Sequence, residues 1–243
     1  VLRIHVEPGA AGDALAELPA WVRLHTGDVL DHDLFGAALL HEVVEAAERA
    51  GARWVELEVD HAGSVHQRMA GASSMTRRRC IVQVGRDLPA DPPPPEFVTR
   101  AFRPAADMEP WLALNNRAFH WHPEQSDWTP ETLTGRMAED WFDPAGFLVH
   151  ETDGRLDGFC WTKVHADEHP PVGEIYVIGV DPEAQGRGLG RSLVLAGLDH
   201  LAHHDLRRAM LWVESDNTNA LALYRTLGFA EQRRHCWWRR EFS

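Results

Sequence analysis

Val177-Ile178-Gly179-Val180-Asp181-Pro182-Glu183-Ala184-Gln185-Gly186-Arg187-Gly188-Leu189-Gly190 runs from an apolar, β-branched segment through an Asp-Pro turn into three closely spaced glycines. The apolar half predicts a buried strand, and Leu193, Val194, Gly197, Leu198 and Leu201 beyond it recur at helical spacing. A strand that feeds glycines into a helix start makes an anion site. Glycines let the backbone approach closely, successive amides point inward, and the helix N-terminus adds about half a positive charge. Arg187 and Arg191 would add charge-assisted hydrogen bonds. No Gly-Lys-Ser/Thr closes the loop, and Gly-x-Gly-x-Gly is not the dinucleotide Gly-x-Gly-x-x-Gly, so neither a triphosphate loop nor a nicotinamide site is indicated.

The flanking sequence supplies alternating helices and strands. Val98 to Phe102 reads as a short strand and Asp107 to Phe119 as a helix. Thr129-Pro130 is an N-cap with proline at the first helical position, opening a helix to about Glu139. Phe147 to His150, the turn Asp153-Gly154, and Leu156 to Val164 form a hairpin, followed by the strand Val172 to Val180. After the glycine turn and its helix comes a strand at Met210 to Val213. Asp216 or Asn217 then caps a helix through Leu227 that Gly228 ends, and Cys236 to Trp238 is a last strand. The order βααβββαβαβ is that of a mixed α/β domain, an α+β arrangement on a mixed sheet.

Asp91 to Glu96 contains four consecutive prolines, which no helix or central strand tolerates, so 91–96 is expected to be a stiff linker between residues 1–90 and 97–243. In the amino part, Phe35 to Ala50 is an amphipathic helix stopped by Gly51, and Val55 to Val59 and Cys80 to Val84 read as strands. Subtracting 156 from the carboxyl numbering places Glu214 on Glu58, Asp216 on Asp60, Arg233 on Arg77, Arg234 on Arg78 and Cys236 on Cys80, as an internal duplication would. The chain has 243 residues, 44% of them hydrophobic, and a formal charge of −13, so any polyanion must be held by a local device and whole-surface binding to nucleic acid or an anionic membrane is not expected. Cys80, Cys160 and Cys236 are odd in number and far apart, which supports neither a disulfide framework nor a zinc ribbon. With no signal-like amino end and no long apolar run, a soluble cytoplasmic protein is expected.

A second pattern, Asn217-x-x-Ala220-x-x-Leu223-Tyr224-x-x-x-Gly228-Phe229, follows the glycine turn by about one α/β unit. Together with Gln185, Gly188 and Gly190 it resembles the GNAT superfamily of acyl-CoA-dependent N-acetyltransferases. The resemblance implies a GNAT fold in 97–243, with Gln185, Gly186, Arg187, Gly188, Leu189, Gly190 and Arg191 holding the pyrophosphate of acetyl-CoA. Ile178, Gly179 and Val180 would lie on a strand splayed from its neighbour, a distortion that Gly179 suits. Asn217, Thr218, Asn219, Ala220, Leu221 and Ala222 would line the pantetheine arm, and Tyr224 would protonate the departing thiolate.

Asn115 to Phe119, His122 to Gln125, Trp141 to Gly146, Trp161 to His165 and Gly173 to Val177 narrow the resemblance to the mycothiol synthase family, tandem GNAT proteins that acetylate the amine of cysteinyl-glucosaminyl-inositol. The resemblance implies that Glu124, Lys163 and Glu174 touch this substrate and that Glu174 is the general base. The residue types suit that chemistry. An α-amine with a pKa near 8 must lose a proton before it attacks a thioester, and a carboxylate within reach can take it. An amide near Val180 can stabilise the oxyanion. Two departures stand out: Trp212 replaces the family's usual pocket tyrosine, and at the 156-residue offset the glycine turn becomes Val29 to Leu34 and Tyr224 becomes Arg68. The amino part is therefore expected to be a degenerate partial GNAT-like domain that binds no acetyl-CoA. Another small amine or a peptide N-terminus as acceptor, or a non-catalytic acetyl-CoA-binding module, are the alternatives.

Other features have plain readings. His120 with His122, His165 with His169, and His203-His204 are pairs without a third ligand at sensible spacing, so no metal is expected. Cys160 and Cys236 lie on predicted strands and are expected to be buried thiols. Arg77-Arg78-Arg79 is a short solvated edge. A monomer acting on a small-molecule amine is the expected form.

Overall fold

The computed structural model describes residues 2–7, 36–88, 95–120 and 125–242. The candidate Glu124, the offset counterpart Val29 to Leu34, and all but the last two residues of the 91–96 linker lie outside the described residues. The amino part contains β1 (Leu2–Glu7), α1 (Ala37–Arg49), β2 (Trp54–Asp60), α2 (Ser64–Ala72) and β3 (Thr76–Asp87). Then come β4 (Arg100–Ala101), α3 (Pro104–Ala118), α4 (Pro130–Met137), β5 (Phe147–Thr152), β6 (Arg155–His165) and β7 (Val172–Val180). The chain closes with α5 (Leu189–Ala202), β8 (Arg208–Glu214), α6 (Thr218–Thr226) and β9 (Ala230–Glu241). From β4 onward the order is the expected βααβββαβαβ. No helix among the described residues is long and apolar enough to cross a membrane.

The chain forms two compact units: residues Val1–Gln83, Val213–Leu221 and Glu231–Ser243, and residues Val84–Trp212 with Ala222–Ala230. In the first, β1, β2 and β9 pair antiparallel, and Leu40, Val43 and Val44 of α1 join Leu57, Val59 and Trp238 in its core. The 156-residue offset has a spatial counterpart here. Glu58 accepts a hydrogen bond from His235 at 3.0 Å, and its offset partner Glu214 accepts one from Arg79, the offset partner of His235, at 2.8 Å. Cys80 and Cys236, also 156 residues apart, lie with their sulfurs at disulfide-bonding distance. This corrects the expectation of two separate thiols, because counting positions along the chain does not reveal that β3 and β9 are neighbours in the sheet. Cys160 is the buried thiol expected, its pKa pushed up to about 12 by burial.

In the second unit the strand order is β8-β7-β6-β5-β4, antiparallel except where β7 meets β8. Trp111 of α3 centres the core. Its ring meets Phe159, Phe147 and Trp161 edge-on at 5.1, 5.4 and 6.2 Å, while Phe147 and Trp161 stack at 4.3 Å. The Asp153-Gly154 turn between β5 and β6 has φ of 51° and 79°, the double left-handed conformation of a tight hairpin. These aromatics form a rigid base under β6 and β7, the strands that carry the site.

Candidate active site

Asp181 anchors the glycine turn at the end of β7. It is 1% exposed, accepts from Arg117 at 2.7 Å, from Arg155 at 2.8 Å and from the Glu183 amide at 3.0 Å, while its own amide bonds to the Asp157 carbonyl. Burial alone would raise its pKa, but the Arg117, Glu183 and Arg155 hydrogen bonds outweigh it and hold the carboxyl below its usual range. Beyond a short turn at Pro182–Ala184, Gly186 and Gly188 have φ of 79° and 86°, values that side-chain-bearing residues rarely adopt. Gly188 is the N-cap of α5, and among the described residues no side chain caps it. The leading amides of Leu189, Gly190 and Arg191 therefore lack intrahelical acceptors and suit an anion. Gln185 and Arg187 are exposed beside them and Arg191 is half-buried.

The strand leading into this turn parts from its parallel neighbour. β7 pairs with β8 at Gly173↔Ala209 and Glu174↔Met210, with no further rung among the described residues, whereas its pairing with β6 continues to Val180. Ile178, Gly179 and Val180 thus lie on the stretch where β7 and β8 have separated. A register shift between β6 and β7 falls between Trp161 and Thr162, opposite Tyr176. Gly179 is small for a packing reason, since a Cβ there would lie 2.6 Å from the Phe159 ring.

Glu174 occupies the last rung before the separation. It is 7% exposed, lies directly across β6 from Lys163, and accepts a hydrogen bond from His165 Nε2 at 2.7 Å. His165 and Lys163 share a face because they are two apart on a strand. The Lys163 ammonium sits 4.7 Å from the Trp141 ring centroid and 5.8 Å from that of Tyr176, a cation–π cradle. Trp212 is half-buried on β8, two positions past Met210, the rung partner of Glu174. His165 is a functional candidate that sequence reasoning missed. Paired there with His169 and given no metal role, it bonds to Glu174, while His169 bonds to the Asp167 carbonyl.

Tyr224 is positioned by the way its helix stops. The Phe229 amide reaches back to the Tyr224 carbonyl at 3.0 Å and the Gly228 amide to Arg225, with Gly228 at φ 81°; the Tyr224 and Phe229 rings meet at 5.8 Å. This is the double hydrogen bond and apolar contact of a Schellman stop. Arg86 donates to the Leu227 carbonyl and lies over the Phe229 ring, bracing the same turn. Tyr224 is 6% exposed, and burial, then the neighbouring Cys160, drives its pKa upward, so the phenol keeps its proton. At the other end of α6, Asn217 Oδ1 accepts from the Ala220 amide at 3.1 Å, so this side chain serves as the helix cap. Thr218 and Asn219 are exposed, Ala220 and Leu221 half-buried, and Ala222 exposed.

The model of the acetyltransferase (GNAT) family matches residues 108–229. A mycothiol acetyltransferase of Acidothermus cellulolyticus is 43% identical over 244 residues, covering 92% of this chain and 73% of its own length. The chain belongs to the mycothiol acetyltransferases of the GNAT family. The mycothiol acetyltransferase of Acidimicrobium ferrooxidans is 55% identical over 159 residues, 62% of this chain, which spans about half (51%) of that relative. Among solved structures, a GCN5-related N-acetyltransferase from Sphaerobacter thermophilus superposes with a TM-score of 0.63 at 22% identity, covering 84% of this chain and 67% of its own, a likeness of fold. Within this GNAT chain, the matched span runs from α3 to the Schellman stop and includes the glycine turn, Glu174 and Tyr224.

Proposed function

We propose that the chain transfers the acetyl group of acetyl-CoA to the cysteinyl amine of cysteinyl-glucosaminyl-inositol, giving mycothiol and CoA. The observation that carries this reading is the position of Glu174, a buried carboxylate at the rung where β7 leaves β8, backed by His165 and facing Lys163. The co-substrate fits the residues present: the left-handed Gly186 and Gly188 and the uncapped start of α5 suit its pyrophosphate, and the open edge of β7 at Ile178 to Val180 suits its pantetheine amides.

Glu174 takes a proton from the substrate ammonium, directly or through one water, and His165 relays it toward solvent. The freed amine attacks the thioester carbonyl, and the oxyanion is held by an amide near Val180. Collapse breaks the carbon–sulfur bond, Tyr224, still protonated, donates to the leaving thiolate, and the second proton shed by the nitrogen as it becomes an amide makes good the one Tyr224 gave. Lys163, Trp212 and Glu124 are the further substrate-binding residues of this reading. Residues 1–90 act as a degenerate GNAT-like domain without a cofactor site, 91–96 as a linker, and 97–243 as the catalytic domain. The protein works as a cytoplasmic monomer on a small molecule, and its charge of −13 disfavours nucleic acid and anionic membranes as partners.

The test is acetyl-CoA consumption by the purified chain with cysteinyl-glucosaminyl-inositol, beside a reaction lacking acceptor, with the product mass measured. Gain of one acetyl group that requires a free amine is the expected result, and Glu174→Gln should lose most of the turnover. Tight acetyl-CoA binding without turnover on this acceptor would discard the substrate assignment in favour of another amine, the reading that Trp212 would then support.

A further inference from the structure

Helix α5 leaves the glycine turn at one end and carries His200 in its last turn, with His204 one turn beyond, on the same side at i and i+4. Facing them is Asp143, which precedes the short turn Pro144–Gly146. Asp143 Oδ2 lies 3.1 Å from His200 Nε2 and 3.6 Å from His204 Nε2, so two imidazoles converge on one carboxylate oxygen. The three ligand atoms lie within 4.8 Å of one another. Around a tetrahedral zinc with bonds of about 2.0–2.1 Å, neighbouring ligand atoms stand about 3.3–3.4 Å apart, which these spacings bracket.

The hydrogen bonds at the rim set the ligand chemistry. His204 Nδ1 donates to the His200 carbonyl at 3.0 Å, because a carbonyl only accepts. In the neutral ring this leaves Nε2 as a lone pair aimed at a carboxylate, two acceptors face to face. A divalent cation between the groups would satisfy both acceptors at once. Asp143 Oδ1 accepts from the Ala145 amide at 2.9 Å, which orients Oδ2 toward the histidines. A ring nitrogen fixed on a backbone carbonyl and a carboxylate oriented by an amide are the outer-shell devices that metal sites use. Two histidines one helical turn apart are also a recurrent zinc-binding spacing.

We propose that Asp143, His200 and His204 form a site for a divalent transition metal such as zinc, separate from the acetyl-transfer chemistry. The reading of His203-His204 as a pair without a third ligand is replaced by this triad, since His203 bonds to the Asp199 carbonyl instead. With three protein ligands the fourth position is left to water. The ion would tie the end of α5 to the segment Trp141 to Asp143, and Trp141 is the ring beneath the Lys163 ammonium. The site is thus a staple for the wall of the proposed acceptor pocket.

The experiment uses the full chain, freed of metal with a chelator and titrated with zinc chloride against a chromophoric competitor, with thermal melting read in parallel. Uptake of one zinc per chain with a raised melting temperature is expected. His204→Ala and the closer-shaped His204→Gln should each weaken zinc binding by more than about 100-fold, the upper end of what losing an outer-shell partner costs. His203→Ala, an exposed neighbour, should leave it unchanged. Absence of zinc uptake by the native chain, or equal affinity in the His203 and His204 variants, would overturn the proposal and leave a histidine–carboxylate contact.

Discussion

Replacing Gly188 by alanine separates the backbone geometry of the glycine turn from its packing. Gly188 has φ 86° and ψ −6°, and among the described residues a Cβ built there meets nothing nearer than Glu96 Oε2 at 3.9 Å. The cost is therefore conformational, about 1–2 kcal/mol for a side-chain-bearing residue in the left-handed region. Gly190 is the counter-case. It lies in the first turn of α5, its added Cβ would touch Leu223 and Val180 at an ordinary 3.8 Å, and Gly190→Ala should be stabilising by about 0.5–1 kcal/mol. For a chain of this size each kcal/mol moves the melting temperature by about 2–4 °C, so Gly188→Ala should melt roughly 2–8 °C below the parent and Gly190→Ala at or above it. Relaxing the strain means turning φ negative, which rotates the amide at the start of α5, so KM for acetyl-CoA should rise in Gly188→Ala. Melting curves by circular dichroism with steady-state kinetics on all three proteins read both effects. A Gly188→Ala protein that melts with the parent, or a Gly190→Ala protein less stable than it, would refute the reasoning.

Tyr224→Phe should lower kcat about 10²-fold, the low end for general acid catalysis because a thiolate leaves readily, with acetyl-CoA affinity unchanged; lost binding in a folded variant would instead mark a structural role. Since burial raises the Tyr224 pKa, the acid form persists across the working range, and the native pH profile should show no alkaline fall from this group below about pH 10, its ordinary value. His165→Asn should shift the pH dependence of kcat while sparing KM for acetyl-CoA, and an unmoved profile would remove His165 from the proton path. Asp181→Asn should destabilise by about 1–3 kcal/mol, reduced from a fully buried pair because Arg117 and Arg155 are themselves substantially exposed. Because the folded pKa of Asp181 is depressed, its contribution is full above the unfolded value of about 3.9 and is lost as pH falls through the folded one, so denaturant curves of parent and variant should converge in acid.

Much of the fold was legible because its signals are local. The strand at Val172–Val180 has the predicted bounds, Thr129 caps α4 through its hydroxyl, and Gly228 ends α6 as a residue tolerant of positive φ should. β1 and α2 escaped for identifiable reasons. β1 is a six-residue strand whose alternation is brief, and α2 buries only Met69 and Ala70. The predicted strand from Val98 to Phe102 shrinks to Arg100–Ala101, the two residues in ladder register with β5; Phe102 adds a single amide bond to the Phe147 carbonyl at 2.7 Å, and Val98 is exposed.

The amino-acid sequence by itself determined the order of elements, the glycine turn and the helix stop behind Tyr224, because periodicity, positive φ and capping are written in residues a few positions apart. It also marked Glu174, Lys163 and Tyr224 as candidates through motif resemblance. Only the tertiary structure decided that His165 stands on Glu174, that β7 leaves β8 immediately past that rung, that Cys80 meets Cys236, and that Asp143 closes on His200 and His204. Each of those facts depends on strand order, register or helix packing. These are set by the burial of apolar faces drawn from the whole chain, and spacing along the sequence carries no record of them.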